Sequence, residues 1–441
     1  MSQRPTSCGK SSAANFIALI HLLLGIFLVT LTNPVFAANG LNLIGFGIDS
    51  NLLAGADVAI DVDTASLNTN PAGLAHISGS ALDQHLGLGY ALGMRHRDNF
   101  GNDAATENKL LPLADFGYAR RLQNGLVWGI GFFAQGGSGN VYKSLNTAFG
   151  TRDELSALFR IAKLSPGLAY SVSEKFSLGL AIPIVYADLE QKIFPDTSVF
   201  SAAAPAQSFF GTEISSAKGF GYGIRLGLQF RANDNLTLGA TYGNKIPLDL
   251  KNGRMVANMS AAGLGRVTYR DVNVNGLALP QEVGLGAAFK LSEAWLLSFK
   301  VAWLDWSDAL TTSTLSANNP DNTAAPTSIK NTSSLNWRDQ TVFALGVAYR
   351  ASDATTWFGG FNYGKNPIPN ETTSPLLAAF AERHLTFGVR HKFSATWQFA
   401  GGIEYDFAKT VTYNNPEQLF GPGAQESGEL IAVHLGVSRR W

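Results

Sequence analysis

The sequence predicts an all-β fold: a 14-stranded antiparallel transmembrane β-barrel. Three observations predict it. Segments of roughly 10 to 15 residues with period-two hydrophobicity recur along the chain. The connections between them alternate strictly between tight polar turns and long excursions. After Ala38, no unbroken apolar run approaches the roughly 20 residues that a membrane-spanning helix needs.

Composition agrees. Lysine plus arginine (33) balances aspartate plus glutamate (33) over 441 residues. Zero net charge argues against a nucleic-acid partner, which calls for a basic excess. Charged residues are 15% of the chain, against roughly 25% in average soluble proteins. With 46 Gly, 28 Phe, 12 Tyr and 8 Trp, the chain suits a solvent that is partly lipid.

The first element is an export leader. Arg4 and Lys10 form a basic head, Phe16 to Leu31 is apolar, and Val35-Phe36-Ala37-Ala38 supplies small residues. Residues 1–37 are therefore expected to be a secretory signal peptide cleaved after Ala37. A retained anchor fits less well, because the next basic residue after Lys10 is Arg95. The single cysteine, Cys8, leaves with the leader, so the mature chain carries no disulfide.

The strands follow near 82–96, 112–122, 125–135, 159–172, 175–190, 214–231, 235–249, 279–291, 294–306, 335–350, 355–363, 382–393, 396–408 and 428–441. The last is the plainest, with Val433, Leu435 and Val437 alternating with His434, Gly436 and Ser438. Six connections are tight: Gln123-Asn124, Ser173-Glu174, Ala232-Asn233-Asp234, Ser292-Glu293, Ser352-Asp353 and Ser394-Ala395. The others are long, such as 191–213, 250–278 and 307–334. Short turns at one rim and long loops at the other are what a bacterial outer-membrane barrel with both termini in the periplasm requires. One face of the strands is apolar with rim aromatics, Trp128, Trp303, Tyr242 and Trp357 among them. The opposite face is small, as in Gly87, Gly89, Ala91 and Gly93, leaving room for a polypeptide plug or an apolar ligand near the wall.

Between leader and barrel lies the segment 38–80, with acids at Asp49, Asp57, Asp61 and Asp63 and no lysine or arginine. As a flexible tail it would leave Leu41, Leu43, Ile44, Phe46, Leu52, Leu53, Val58 and Ile60 in water. With Gly55-Ala56-Asp57, Asp63-Thr64-Ala65 and Asn70-Pro71-Ala72-Gly73-Leu74, the segment resembles the hatch of the FadL family (OmpP1/FadL/TodX) of outer-membrane transporters for long-chain fatty acids and other hydrophobic compounds. The resemblance implies a small N-terminal hatch, or plug, inside the barrel lumen. Ser165-Pro166-Gly167, Gly221-Tyr222-Gly223-Ile224-Arg225, Pro280-Gln281-Glu282 and Trp303-Leu304-Asp305-Trp306-Ser307 continue the likeness through the barrel, 81–441. One departure is Arg439, where such barrels usually place an apolar residue two before the terminal aromatic.

The resemblance implies loop capture of an apolar ligand, lumenal binding, and hatch-gated release sideways through a kink in the third strand. The hatch motif Asn70, Pro71 and Ala72 would then serve gating. Phe194, Phe200, Phe209, Phe210, Met255 and Met259 in the long loops either form a greasy capture groove or pack the loops together. Gly129 and Gly131 would permit the kink. Arg225, Arg338, Arg390 and Lys300 fall on the expected inner face, either as partners for a carboxylate head group or in ion pairs with acids such as Glu282 and Glu404. Long-chain fatty acids are the expected cargo, with aromatic or alkane hydrocarbons the alternative and a general porin less favoured. The expected partners are that cargo, outer-membrane lipid and lipopolysaccharide, and the barrel-assembly machinery, with the protein working as a monomer.

No enzyme is expected. The mature histidines His76, His85, His96, His384, His391 and His434 occur in no nucleophile motif and form no i, i+4 metal pair. No cofactor or metal is implied.

Overall fold

The structure, a computed structural model, describes residues 39–60, 63–204, 207–377, 380–417 and 419–441. The expected leader and the hatch residue Asp61 lie outside the described residues. Fourteen strands close into one antiparallel barrel. They are β1 (Ser80–Ala91), β2 (Leu110–Arg121), β3 (Val127–Ser138), β4 (Arg152–Ser171) and β5 (Phe176–Ala181 and Ile184–Val199). Next come β6 (Phe209–Tyr222 and Arg225–Asn233), β7 (Leu236–Gly243), β8 (Glu282–Lys290), β9 (Trp295–Leu304) and β10 (Gln340–Arg350). The last four are β11 (Thr355–Gly364), β12 (Arg383–Lys392), β13 (Trp397–Tyr413) and β14 (Ala424–Arg440). Closure comes from β1 pairing with β14, from Ala81 opposite Arg440 to Ala91 opposite Leu430.

Period-two patterning decides which way each side chain faces. In β14, Val433, Leu435 and Val437 point outward and are exposed, whereas Ala432, His434 and Ser438 are buried. The outer face continues round the wall with Leu178, Leu226, Leu285, Phe343 and Phe387. An apolar exterior with a polar or small interior inverts a soluble protein and is stable only when the exterior meets hydrocarbon. Arg439, the departure noted above, lies over the rings of Trp397 and Trp441, 5.3 and 4.8 Å from their centroids, which suits a cation at an aromatic rim.

The six expected turns join β2 to β3, β4 to β5, β6 to β7, β8 to β9, β10 to β11 and β12 to β13. At the other rim the structure differs from the expectation of long loops. Residues 191–213 are largely the upper parts of β5 and β6. Leu250–Met259 pairs with Gly265–Asn275, and Thr312–Pro320 with Ser328–Ser334, extending the wall upward. These strands rise beyond the lipid, where the outer face meets water, so the apolar alternation that marks a spanning strand disappears there.

The segment from Asn39 to Gly79 fills the lumen. It contains α1 (Gly47–Leu52) and two 3₁₀ turns, Thr64–Leu67 and Pro71–His76. Its apolar residues Leu41, Ile44, Ile48, Leu52, Leu53, Val58 and Leu67 are all buried. The small lumenal residues stand where this segment passes. A Cβ on Gly179 would lie 2.2 Å from the Pro71 carbonyl carbon, and one on Gly239 would lie 2.2 Å from the Val58 oxygen. The wall therefore accommodates a polypeptide backbone at van der Waals contact.

Candidate functional site: a fastened hatch beneath an apolar cavity

Asn70 explains the Asn-Pro-Ala motif. Its Oδ1 accepts from Ala72 N at 3.1 Å, capping the turn whose first residue is Pro71. Its Nδ2 donates to Val58 O within the hatch at 2.7 Å and to Leu228 O of β6 at 3.0 Å. One side chain therefore shapes the hatch and ties it to the wall.

Charge adds further ties. Asp49 pairs with Arg390 of β12, and Asp57 Oδ1 lies 3.3 Å from Lys300 Nζ of β9. Arg225 of β6 donates to the hatch carbonyl of Thr69 at 3.0 Å and to Glu282 at 2.6 Å. Three of the four head-group candidates are thus engaged by hatch or wall. The fourth, Arg338, is exposed on the segment before β10, and its backbone N–H donates to Pro367 O at 2.9 Å. Buried ion pairs of this kind gain little net energy over apolar packing, but removing one partner strands the other charge.

The irregularity in β3 comes later than the expected Gly129 and Gly131. Those two lie in regular register with β2 and β4, close to Leu67 of the hatch. The ladder against β4 slips between Ala134 and Gly136. Gly136 and Gly137 both have φ of 142°, and a Cβ on Gly136 would sit 2.1 Å from the Leu41 oxygen. The bulged residue, Gln135, turns its side chain to the hatch: Nε2 donates to Asn42 Oδ1 at 2.9 Å, and Oε1 accepts from Asn68 Nδ2 at 3.1 Å. Lys163 Nζ of β4 donates to Asn68 Oδ1 at 2.9 Å, and Gly137 N donates to Leu41 O at 3.2 Å. The hatch is laced to the wall at the point where the ladder is weakest.

Above the hatch, toward the long-loop rim, lies a cavity of about 470 Å³. Leu41 of the hatch contributes to its lining, as do Phe159, Phe209, Phe210, Ile214, Met255, Met259, Trp337 and Leu376 from the wall and its extensions. Four of the six expected capture residues therefore meet on it. Phe194 is buried away from it, 6.1 Å from Phe420 between ring centroids, and Phe200 is exposed, stacked on Phe210. Sequence reading missed Trp337 and Leu376; the run Pro375-Leu376-Leu377 in an otherwise polar connection was the available signal. Among the described lining residues the charged one is Glu417, whose carboxylate accepts from Ser334 N at 3.2 Å. Among the described residues no lysine, arginine or histidine lines this cavity. A second cavity, of about 290 Å³, lies on the tight-turn side of the hatch and is polar, with Asp49, His76, Lys175, Arg231, Lys290 and Arg390.

Residues 36–437 match the model of the outer membrane protein transport protein family (OMPP1/FadL/TodX). The structure is similar to the P. putida toluene transporter TodX, with a TM-score of 0.74 and 19% identity over 91% of this chain and 99% of that one. It is similar to the Ralstonia pickettii toluene transporter TbuX, with a TM-score of 0.70 and 19% identity over 91% and 99%. A Pseudomonas aeruginosa FadL homologue has a TM-score of 0.70 and 16% identity over 91% and 99%. No curated protein matches the chain. A closed barrel with a fastened internal hatch, matched to that family over nearly its whole length, belongs to the OMPP1/FadL/TodX family of outer-membrane transport proteins.

Proposed function

We propose that this transporter takes up neutral hydrophobic compounds, with aromatic hydrocarbons favoured over long-chain fatty acids. The observation that carries the reading is the cavity lining: mostly apolar and aromatic, with hydroxyl and amide side chains such as Gln191, Thr212 and Asn331, one carboxylate and, among the described residues, no basic residue. A fatty acid brings a carboxylate, which in an apolar enclosure needs a cation or loses much of its binding energy. The lumenal cations Arg390, Lys300 and Arg225 are already paired with Asp49, Asp57 and Glu282. The cavity, about three times the roughly 150 Å³ of an apolar cavity that binds benzene, has room for a small aromatic. Two of the similar structures are described as toluene transporters, which points the same way.

In this reading the leader 1–37 is removed on export, residues 38–80 work as the hatch, and residues 81–441 form a barrel inserted by the assembly machinery among lipid and lipopolysaccharide as a monomer. Ligand partitions from the long-loop rim into the cavity, each buried CH₂ contributing roughly 0.8 kcal/mol. Release follows withdrawal of Leu41 and Asn42 from the β3 bulge, opening a sideways path that spares the ligand from water. Calorimetric titration of the purified barrel with toluene and with oleate tests the substrate class. Saturable toluene binding with no oleate heat supports the reading; oleate binding with no toluene binding overturns it and leaves the fold untouched.

A further inference from the structure

A band of buried histidines and carboxylates crosses the seam where the barrel closes. His384 on β12 stands opposite Asp406 on β13, and its Nδ1 is 2.6 Å from Asp406 Oδ1 and 3.9 Å from Glu404 Oε1. His434 on β14 points Nε2 at Glu404 Oε2, 3.1 Å away. His434 Nδ1 is 3.0 Å from His85 Nε2 on β1, and His85 Nδ1 is 2.8 Å from Asp115 Oδ2 on β2. Asp115 Oδ2 also accepts from Gly47 N of the hatch at 2.8 Å. All six side chains are buried.

With both imidazoles neutral, the band is one proton short. The run from Asp115 through His85 and His434 to Glu404 has three polar links and an acceptor carboxylate at each end. Two neutral imidazoles supply only two N–H groups. If His85 donates to Asp115 and His434 donates to His85, the lone pair on His434 Nε2 faces the Glu404 carboxylate. Beside it lies a second carboxylate, Asp406, and among the described residues no lysine or arginine pairs with either. His384 Nε2, on the far side of the ring from these carboxylates, is buried with no hydrogen-bond partner among the described residues. Glu404 and Asp406 also border a cavity of about 20 Å³, closed by Leu43, Ile44 and Asn51 of the hatch. That is space for one water against the two carboxylates, and neither His384 nor His434 lines it.

We propose that His384, Glu404 and Asp406 bind one divalent transition-metal ion at this seam, with His434 Nε2 hydrogen-bonded to the ligating Glu404. The ligand atoms of His384, Glu404 and Asp406 already lie within 4.8 Å of one another. Metal–ligand distances of about 2.0 to 2.2 Å require only that the His384–Asp406 pair open by less than about 1 Å. One imidazole with two carboxylates suits zinc, manganese, iron or nickel, whereas calcium and magnesium favour all-oxygen sites. His434 donates through Nε2 to the ligating Glu404 and orients it. The ion thereby links β12 to β13, and the Glu404–His434 hydrogen bond carries the link to β14. Sequence spacing hid the set because its members lie on two strands and meet by register.

The test uses the untagged full-length barrel, stripped with chelator, reloaded separately with zinc and manganese chloride, desalted, and counted by mass spectrometry. One ion per chain and a raised thermal midpoint are expected for the parent and for His391→Ala, an exposed histidine outside the set. Both effects are expected to vanish in Glu404→Gln and in the pair His384→Ala with Asp406→Asn, with barrel folding checked by heat-modified gel mobility. Absence of retained metal in the parent overturns the proposal, and so does stoichiometric metal in the folded double variant. The parent measurement decides the matter even if a variant fails to fold.

Discussion

Gln135 and Asn42 join the weakest point of the wall to the start of the hatch, their side chains 2.9 Å apart. The same glutamine accepts from Asn68 at 3.1 Å, so one bulged residue of β3 holds two stretches of hatch separated in sequence. A bulge leaves an extra residue out of the ladder, and here that residue serves as the fastening between wall and hatch.

Gln135→Leu keeps the volume and removes both contacts. Two hydrogen bonds at about 0.5 to 1.5 kcal/mol each predict a roughly 5- to 150-fold rise in the open population. Planar-bilayer recordings should show more frequent openings in the variant. Conductance identical to the parent would mean that the Gln135 contacts do not restrain the hatch.

Arg390→Gln leaves the Asp49 carboxylate in the lumen without its ion-pair partner. Breaking a buried pair from one side costs about 3 to 5 kcal/mol, and the cost falls on hatch seating because the pair joins hatch to wall. Limited proteolysis should cut near α1 much faster than in the parent, while gel mobility of the heat-sensitive barrel stays unchanged. Restoring neutrality with Asp49→Asn in the same chain should recover most of the protection.

Gly227→Val tests the close approach of hatch and wall. A Cβ at Gly227 falls 2.0 Å from Asn70 Oδ1, so the Asn-Pro-Ala turn cannot seat as it does here. The variant should fold as a barrel and leak ions constitutively. A tight, non-leaking variant would show that the hatch position near Gly227 is not the one described.

The cluster around His96, in the short strand Arg95–Arg97 above the lipid, predicts a pH dependence at the long-loop rim. His96 Nε2 is 3.0 Å from Asp98, its Nδ1 contacts Glu426, and Tyr142 donates to Glu426 at 3.2 Å. Burial alone lowers the His96 pKa, but hydrogen bonds to Asp98 and Glu426 and their negative charges outweigh it and raise it from 6.5 to about 9. A folded pKa above the unfolded value means stability fully present below about pH 6.5 and lost as pH rises through about 9. Protection factors at the Glu426 and Tyr142 amides, taken relative to the pH-dependent intrinsic exchange rate, should therefore fall between pH 7 and 10, and His96→Gln should remove that fall. A flat profile in the parent would contradict the assignment.

The spanning strands were legible because lipid imposes one rule on one face. Val433, Leu435 and Val437 alternate so cleanly because each outward position must be apolar. The upper wall was not legible, since Leu250–Met259 and Gly265–Asn275 face water outside and obey no such rule. The hatch was visible in Asn70-Pro71-Ala72, yet its fastening was hidden: Asp49 and Arg390 are 341 residues apart, and no local pattern pairs them. The β3 bulge was obscured by abundance, because glycines occur in nearly every strand and only the backbone at Gly136 and Gly137 separates a kink from clearance for the hatch. The cavity was half legible; Phe209, Phe210, Met255 and Met259 stood out as greasy residues in a polar stretch, whereas Trp337 read as part of a strand.

Paired uptake of labelled toluene and labelled oleate, in cells lacking their own hydrophobic-compound channels and expressing this chain, separates the two substrate classes. Saturable toluene entry exceeding the empty-vector rate, with oleate entry unchanged and toluene entry reduced by Met255→Arg in the cavity, is the predicted result. Oleate entry without toluene entry, or equal entry of small sugars, would contradict the account.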